Sequence, residues 1–238
     1  MQTDIEFDSH GTTLSGTLYK AEGEEKACIL ILYGGGNIPH KQSPHYTSIK
    51  KTLAENGITS FSFDFRGVGD NGVPLEKTNI NTRIEDAKAA FNVLVSNTES
   101  KNIYLYGVSM GATVAIEITN QVSTKGIILI VPAAYSLEAR GKNFGPDFSE
   151  AIRKPESWKD SPDFENLRKY KARVFLLRAG NDQIIPTGVY NTYVDIVQAK
   201  GEILTFKDAT HRFSSEVDSN GVPFRDILSE HLLSFINS

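Results

Sequence analysis

Two rhythms of apolar residues alternate along this chain, short hydrophobic runs and amphipathic stretches with helical spacing. The run 27–33 (Ala-Cys-Ile-Leu-Ile-Leu-Tyr) has the unbroken hydrophobicity of a strand buried on both faces. Segments 58–65, 103–106, 126–131, 173–179 and 202–207 read as further strands. Between them, Ile49 and Leu53 mark a helix ending before Gly57, and Ile84, Ala87, Phe91, Leu94 and Val95 line one face of a second. Thr82 with Glu85 predicts a capping box at the start of that second helix. A third helix runs from Met110 to about Gln121, a fourth lies near 188–198, and Leu228, Leu232 and Phe235 share a face of a last one. Segments 3–8 and 12–20 flank His10-Gly11 as an antiparallel hairpin.

Strands taking turns with helices predict parallel pairing, right-handed crossovers and helices on both faces of a twisted sheet. The rhythm breaks only at about 133–171, where Ser161-Pro162 starts a helix carrying Phe164, Leu167 and Tyr170 on one face. The expectation is an α/β fold: one domain over 1–238, a mostly parallel sheet with an N-terminal antiparallel hairpin, and a small lid insertion at about 133–171.

Composition narrows the function classes. The 238 residues carry a net charge of −4 and 23% charged side chains, with no clustered basic face for nucleic acid. No apolar run approaches the length of a membrane span. The single cysteine, Cys28, sits in an apolar run and reads as a small buried hydrophobe. The N-terminal segment carries Asp4, Glu6 and Asp8 and lacks a secretory pattern, so a cytoplasmic location is expected.

The stretch Ile103 to Gly111 places Gly-Val-Ser-Met-Gly between a strand and a helix. Such a turn lifts a serine hydroxyl off the sheet edge. In an open parallel sheet the working residues collect at the carboxyl ends of the strands. Four such ends bear notable groups here: Gly34-Gly35-Gly36, Ser109, Gly180-Asn181-Asp182 and Asp208-Ala209-Thr210-His211. Ser109 needs a base to act as a nucleophile, and His211 is the candidate. Asp182 is the candidate to orient the imidazole, with Asp208 poorly placed on the histidine's own loop and Asp218 an open rival. The order Ser, Asp, His is the one associated with this turn. An oxyanion would be held by the backbone N–H of Met110 and by one from the 34–36 loop, with Gly35 the first choice. Gly36, Tyr135, Phe144, Phe148 and Trp158 are candidate substrate contacts. His40 and His45 lack a neighbouring carboxylate or cysteine, so no metal is expected. Asp64 and Arg66 read as parts of a hydrogen-bonded turn, and Gly67-Val68-Gly69 lacks phosphate-loop spacing.

With those residues in view, the chain resembles the α/β-hydrolase superfamily over nearly its whole length. The likeness is carried by Gly107-Val108-Ser109-Met110-Gly111, Asp64-Phe65-Arg66-Gly67-Val68-Gly69, Gly180-Asn181-Asp182 and Thr210-His211. It looks most like the serine-aminopeptidase-type and cinnamoyl- or feruloyl-esterase-like branch, with Val131-Pro132-Ala133-Ala134-Tyr135 in support. The resemblance implies hydrolysis of a small-molecule carboxylic ester through an acyl-enzyme, with no cofactor. Tyr33-Gly34 stands where many relatives have His-Gly, and the insertion is shorter than the lid of many esterases of the branch. A thioesterase or short-peptide peptidase would use the same three side chains. A catalytically silent receptor or scaffold on this fold is the contrasting class.

Overall fold

Buried strands and half-buried helices form where the hydrophobic pattern places them, with boundaries shifted by a few residues. The computed structural model describes residues 1–35, 39 and 44–238, and the side chains of residues 44 and 45 are outside the description. Eight strands form one sheet in the spatial order β1-β2-β4-β3-β5-β6-β7-β8. They are β1 (Gln2–Ser9), β2 (Thr12–Tyr19), β3 (Ala27–Leu32), β4 (Ile58–Phe63), β5 (Ile103–Val108), β6 (Gly126–Ile130), β7 (Arg173–Ala179) and β8 (Gly201–Phe206). β1 and β2 pair antiparallel across His10-Gly11, β2 joins β4 antiparallel, and every pair from β4 to β8 is parallel.

The long helices are α1 (Pro44–Glu55), α2 (Ile80–Ser96) and α3 (Met110–Ile118), then α7 (Thr187–Val197) and α8 (Phe224–Asn237). The interruption at 133–171 holds three short ones, α4 (Leu137–Arg140), α5 (Pro146–Arg153) and α6 (Pro162–Lys169). All residues of β3, β4, β5 and β6 are buried, which is the signature of strands covered by helices on both faces. Cys28 lies among them, and burial pushes its thiol up to about 11.

Three expectations need correction. The capping box at the start of α2 is made by Asn79 and Thr82, each donating a backbone N–H to the other's side chain at 3.0 Å. Thr82 is therefore the third helical residue rather than the cap, because the helix begins earlier, where Asn79 is still extended. Glu85 pairs instead with Arg66 at 2.7 Å. Second, β4 ends at Phe63, so Asp64 and Phe65 belong to the following turn. That turn is held by Asn71, which donates to the Phe65 and Val68 carbonyls at 2.9 and 2.8 Å. Third, α3 stops at Ile118 rather than near Gln121. The predicted start of α6 holds: Ser161 is its N-cap and Pro162 its first residue.

Segment 133–171 is tied to the body through a buried ionic cluster. Arg140 of α4 bonds Asp163 of α6 and, at 2.8 Å, Glu117 of α3. Thr113 of α3 donates to Asp163 at 2.9 Å, and Ser161 donates to it at 3.0 Å.

Candidate active site

β5 ends one residue before Ser109, and α3 begins one residue after it. Ser109 sits at φ 52°, ψ −116°, a conformation that costs a non-glycine residue on the order of 1–3 kcal/mol and persists only where the surroundings impose it. They do so on both sides. The Ser109 N–H donates to the Ile130 carbonyl at 2.9 Å, and the Ala133 N–H donates to the Ser109 carbonyl at 3.2 Å. The flanking glycines are steric requirements. A Cβ on Gly107 would lie 2.6 Å from the Gly111 carbonyl oxygen, and one on Gly111 would lie 2.1 Å from the Leu32 oxygen. The turn can be this tight only because strand, helix and the end of β3 touch backbone to backbone. Among the described residues the Ser109 hydroxyl makes no hydrogen bond, to His211 or to any other group.

Asp182 and His211 come from the loops after β7 and β8. Those loops are laced together: Gly180 N–H donates to Phe206 O at 2.8 Å, Asn181 N–H to Ala209 O at 2.9 Å, and the Asn181 amide to Asp208 O at 3.1 Å. The lacing places His211 Nδ1 2.7 Å from Asp182 Oδ2. The carboxylate side chain is 1% exposed and the imidazole 19%. Asp182 Oδ1 accepts the N–H groups of Ile184 and Ile185 at 2.7 and 3.0 Å. Burial pushes the Asp182 carboxyl up, but hydrogen bonds from His211, Tyr190 and Ile185 outweigh it, so the group sits below its ordinary value. The rival Asp218 is committed elsewhere, accepting Asn220 and Val222 N–H at 2.8 Å each in its own turn.

Neighbouring strands lie roughly 4.8 Å apart, and β6 and β7 separate β5 from β8. His211 and Asp182 meet because the loop after β8 is laced to the loop after β7.

The other expected contacts scatter. Phe144 and Phe148 are buried, edge-to-face with centroids 5.1 Å apart, and Tyr135 packs on Phe148 at 5.6 Å. Trp158 packs on Phe164, and a Cβ on Gly188 would meet its ring at 2.4 Å. These aromatic side chains pack chiefly on one another within segment 133–171, with Trp158 also against Gly188 of α7. Gly36, His40 and the side chain of His45 lie outside the described residues. A groove of about 650 Å³ is lined by Glu6, Thr12, Ser15, Asp64 and Val68 among others and contains none of Ser109, Asp182 and His211.

Tyr190 was not legible as a site residue. Its hydroxyl donates to Asp182 Oδ2 at 2.5 Å, the oxygen that also holds His211. Burial first, and then the carboxylate's hydrogen bond and charge, raise the Tyr190 hydroxyl far above its ordinary value. The available signal was spacing: Tyr190, Tyr193 and Val197 share the buried face of α7. Replacing Tyr190 by Phe is expected to lower kcat/KM by about tenfold, the loss of roughly one hydrogen bond to a charged group. The sign of its stability effect follows from the depressed Asp182 carboxyl. That group contributes stability above its unfolded value, and the contribution fades as pH falls through the folded value. The Tm gap between wild type and Tyr190→Phe should therefore shrink toward acid pH.

The sheet order, the leading antiparallel hairpin and the strained turn between β5 and α3 define an α/β-hydrolase fold. Comparison with known proteins agrees. The family model of serine aminopeptidase, S33, matches residues 23–153, more than half the chain; the chain belongs to this family. The curated relatives include lysophosphatidylserine lipase ABHD12 from Rattus norvegicus, 24% identical over 79% of this chain. They also include esterase EstD from Thermotoga maritima, 26% identical over 56% of it. The chain spans about half the length of the ABHD12 relative and about a third of EstD. Among solved structures, Est1E from Butyrivibrio proteoclasticus with bound ferulic acid superposes with a TM-score of 0.75 at 16% identity, covering 98% of this chain and 100% of that one. The Pyrococcus furiosus esterase Pf2001 gives 0.74 at 23% identity, covering 100% and 92%. Among the described residues no helix is long and apolar enough to cross a membrane.

Proposed function

We propose that this protein is a serine hydrolase that cleaves small or medium carboxylic esters through an acyl-enzyme. Ser109 Oγ attacks the ester carbonyl while His211 takes its proton, and the protonated imidazole then gives that proton to the departing alkoxide. Asp182 fixes the tautomer of His211 and stabilises the imidazolium. The N–H groups of Met110 and Gly35 receive the oxyanion, the former also at the start of α3. Water, deprotonated by His211, attacks the acyl-enzyme and releases the acid. The observation that carries this reading is the 2.7 Å Asp182–His211 contact on the strand-end rim where the strained Ser109 turn is displayed. The esterases among the relatives and structural neighbours support ester substrates.

The test is a panel of p-nitrophenyl esters of rising acyl length beside cinnamate-type esters, an acyl thioester and an aminoacyl p-nitroanilide, together with a fluorophosphonate probe. The expected outcome is ester turnover well above thioester and anilide turnover, with covalent labelling at Ser109. A protein that neither labels nor turns over any member of the panel would overturn the reading in favour of a silent scaffold.

A further inference from the structure

One buried arginine outside the three proposed catalytic side chains touches the turn beside Ser109. Arg83 of α2 donates from Nη1 to the Gly34 carbonyl oxygen at 2.7 Å. Its residue is 1% exposed, and its guanidinium lies over the rings of Phe65 and Phe144 at 5.0 and 4.8 Å. Burial brings it down to about 10, so it remains charged at neutral pH. Phe144 belongs to segment 133–171, and its N–H donates to the Thr78 carbonyl at 2.8 Å, just before α2. The arginine is thus held between aromatic faces with its edge toward the Gly34 oxygen.

The consequence lies in peptide geometry. The Gly34 carbonyl and the Gly35 N–H belong to one planar unit, and in a trans peptide they point to opposite sides of the chain. No cis peptide occurs among the described residues. Fixing the carbonyl toward Arg83 therefore turns the Gly35 N–H the other way. The serine turn is in contact with this same unit: a Cβ on Gly34 would lie 3.3 Å from Ser109 Cβ and 3.8 Å from its Oγ, and a Cβ on Gly35 would lie 3.3 Å from Met110 Cε.

We propose that Arg83 is the positioning residue of the oxyanion turn: by holding the Gly34 carbonyl it aims the Gly35 N–H at the oxygen that gains charge in the transition state. This rests on the hydrolase reading and on Gly35 as an oxyanion donor. A charge-assisted hydrogen bond is suited to the task, because a glycine-rich turn has no side chains to hold its own peptide planes.

The experiment compares wild type with Arg83→Met and Arg83→Lys. Arg83→Met should lose about a hundredfold in kcat on the best p-nitrophenyl ester, the scale of one oxyanion donor, with KM within about twofold. Arg83→Lys, which keeps a cationic donor, should recover part of that loss. Affinity for a trifluoromethyl ketone, which forms the tetrahedral adduct on serine, should fall in step with kcat/KM. Hydrogen–deuterium exchange of a peptide covering 30–39 should quicken in Arg83→Met while peptides from β5 and β6 hold their wild-type rates. Should Arg83→Met fail to fold, Arg83→Lys carries the same readings at smaller amplitude. Wild-type kcat in a folded variant, or a rise confined to KM, overturns the proposal, as does unchanged exchange at 30–39. Absence of ester turnover and of fluorophosphonate labelling in wild type would sink the hydrolase reading itself. The exchange measurement would then still decide whether Arg83 holds the turn.

Discussion

Replacing Ser109 by alanine is expected to lower kcat for ester hydrolysis by about 10⁶-fold, with His211→Ala equally damaging and the double variant scarcely worse than either. The reason is that nucleophile and base act as one unit. Without the base the hydroxyl is a poor nucleophile at neutral pH, and without the hydroxyl the imidazole has no proton to take. What remains in Ser109→Ala is water attack assisted by the oxyanion donors alone, roughly 10³–10⁴-fold above the uncatalysed rate. Asp182→Asn should cost about 10⁴-fold, because the amide favours the wrong tautomer of the ring it bonds at 2.7 Å. The fold should survive the serine change, since the strained backbone at φ 52° is imposed by Ile130 and Ala133 through main-chain bonds that alanine keeps. Steady-state kinetics on p-nitrophenyl acetate, with Tm as the control, decide the matter. An alanine variant that retains a tenth of wild-type turnover would place the nucleophile elsewhere.

Arg140→Ala is expected to destabilise the protein by about 3–5 kcal/mol, the usual consequence of stripping the partner from a buried charge. Asp163 has no exposed surface, and Arg140 is 3% exposed. The pair joins α4 and α6 to each other, and through Glu117 and Thr113 to α3, the helix that begins after Ser109. Burial raises the Asp163 carboxyl, and Arg140 is the foremost influence pulling it back. Once Arg140 is gone the carboxyl is expected to rise further, and a raised carboxyl favours the protonated folded form. The deficit of Arg140→Ala should therefore grow as pH climbs above the unfolded value of about 4 and be smallest in acid. Urea unfolding at pH 5 and pH 8 tests this. A pH-independent deficit below 1 kcal/mol would mean that the cluster does not clamp the segment.

Much of this molecule could be read from one dimension. The serine turn was legible because its demands are local: a strand, two glycines and a helix start within nine residues, Ile103 to Gly111. The Asp182 and His211 positions followed from the strand ends they terminate. The capping of α2 misled because Thr82 and Glu85 have the right spacing, while Asn79 was the residue still extended when the helix began. Arg83 and Asp163 are charged residues on buried helix faces, where periodicity alone calls for apolar side chains. Arg83 lies three residues after Ile80 and four before Ala87, the face that packs inward. A charge at such a position signals a buried partner, but the pattern does not name it.

By itself, then, the amino-acid order determined the alternation of strands and helices, the parallel sheet with its leading hairpin, and the succession Ser, Asp, His along the strand ends. Those features arise from backbone preferences and side-chain periodicity, which operate over a few residues at a time. The tertiary structure alone decided which carboxylate faces His211, that Tyr190 shares its oxygen, and that Arg83 grips the Gly34 carbonyl 49 positions away. It also decided that Arg140 of α4 bonds both Asp163 of α6 and Glu117 of α3. Such partners meet only once the core is packed, because burial removes water as the competing partner and leaves each charge a single arrangement that satisfies it.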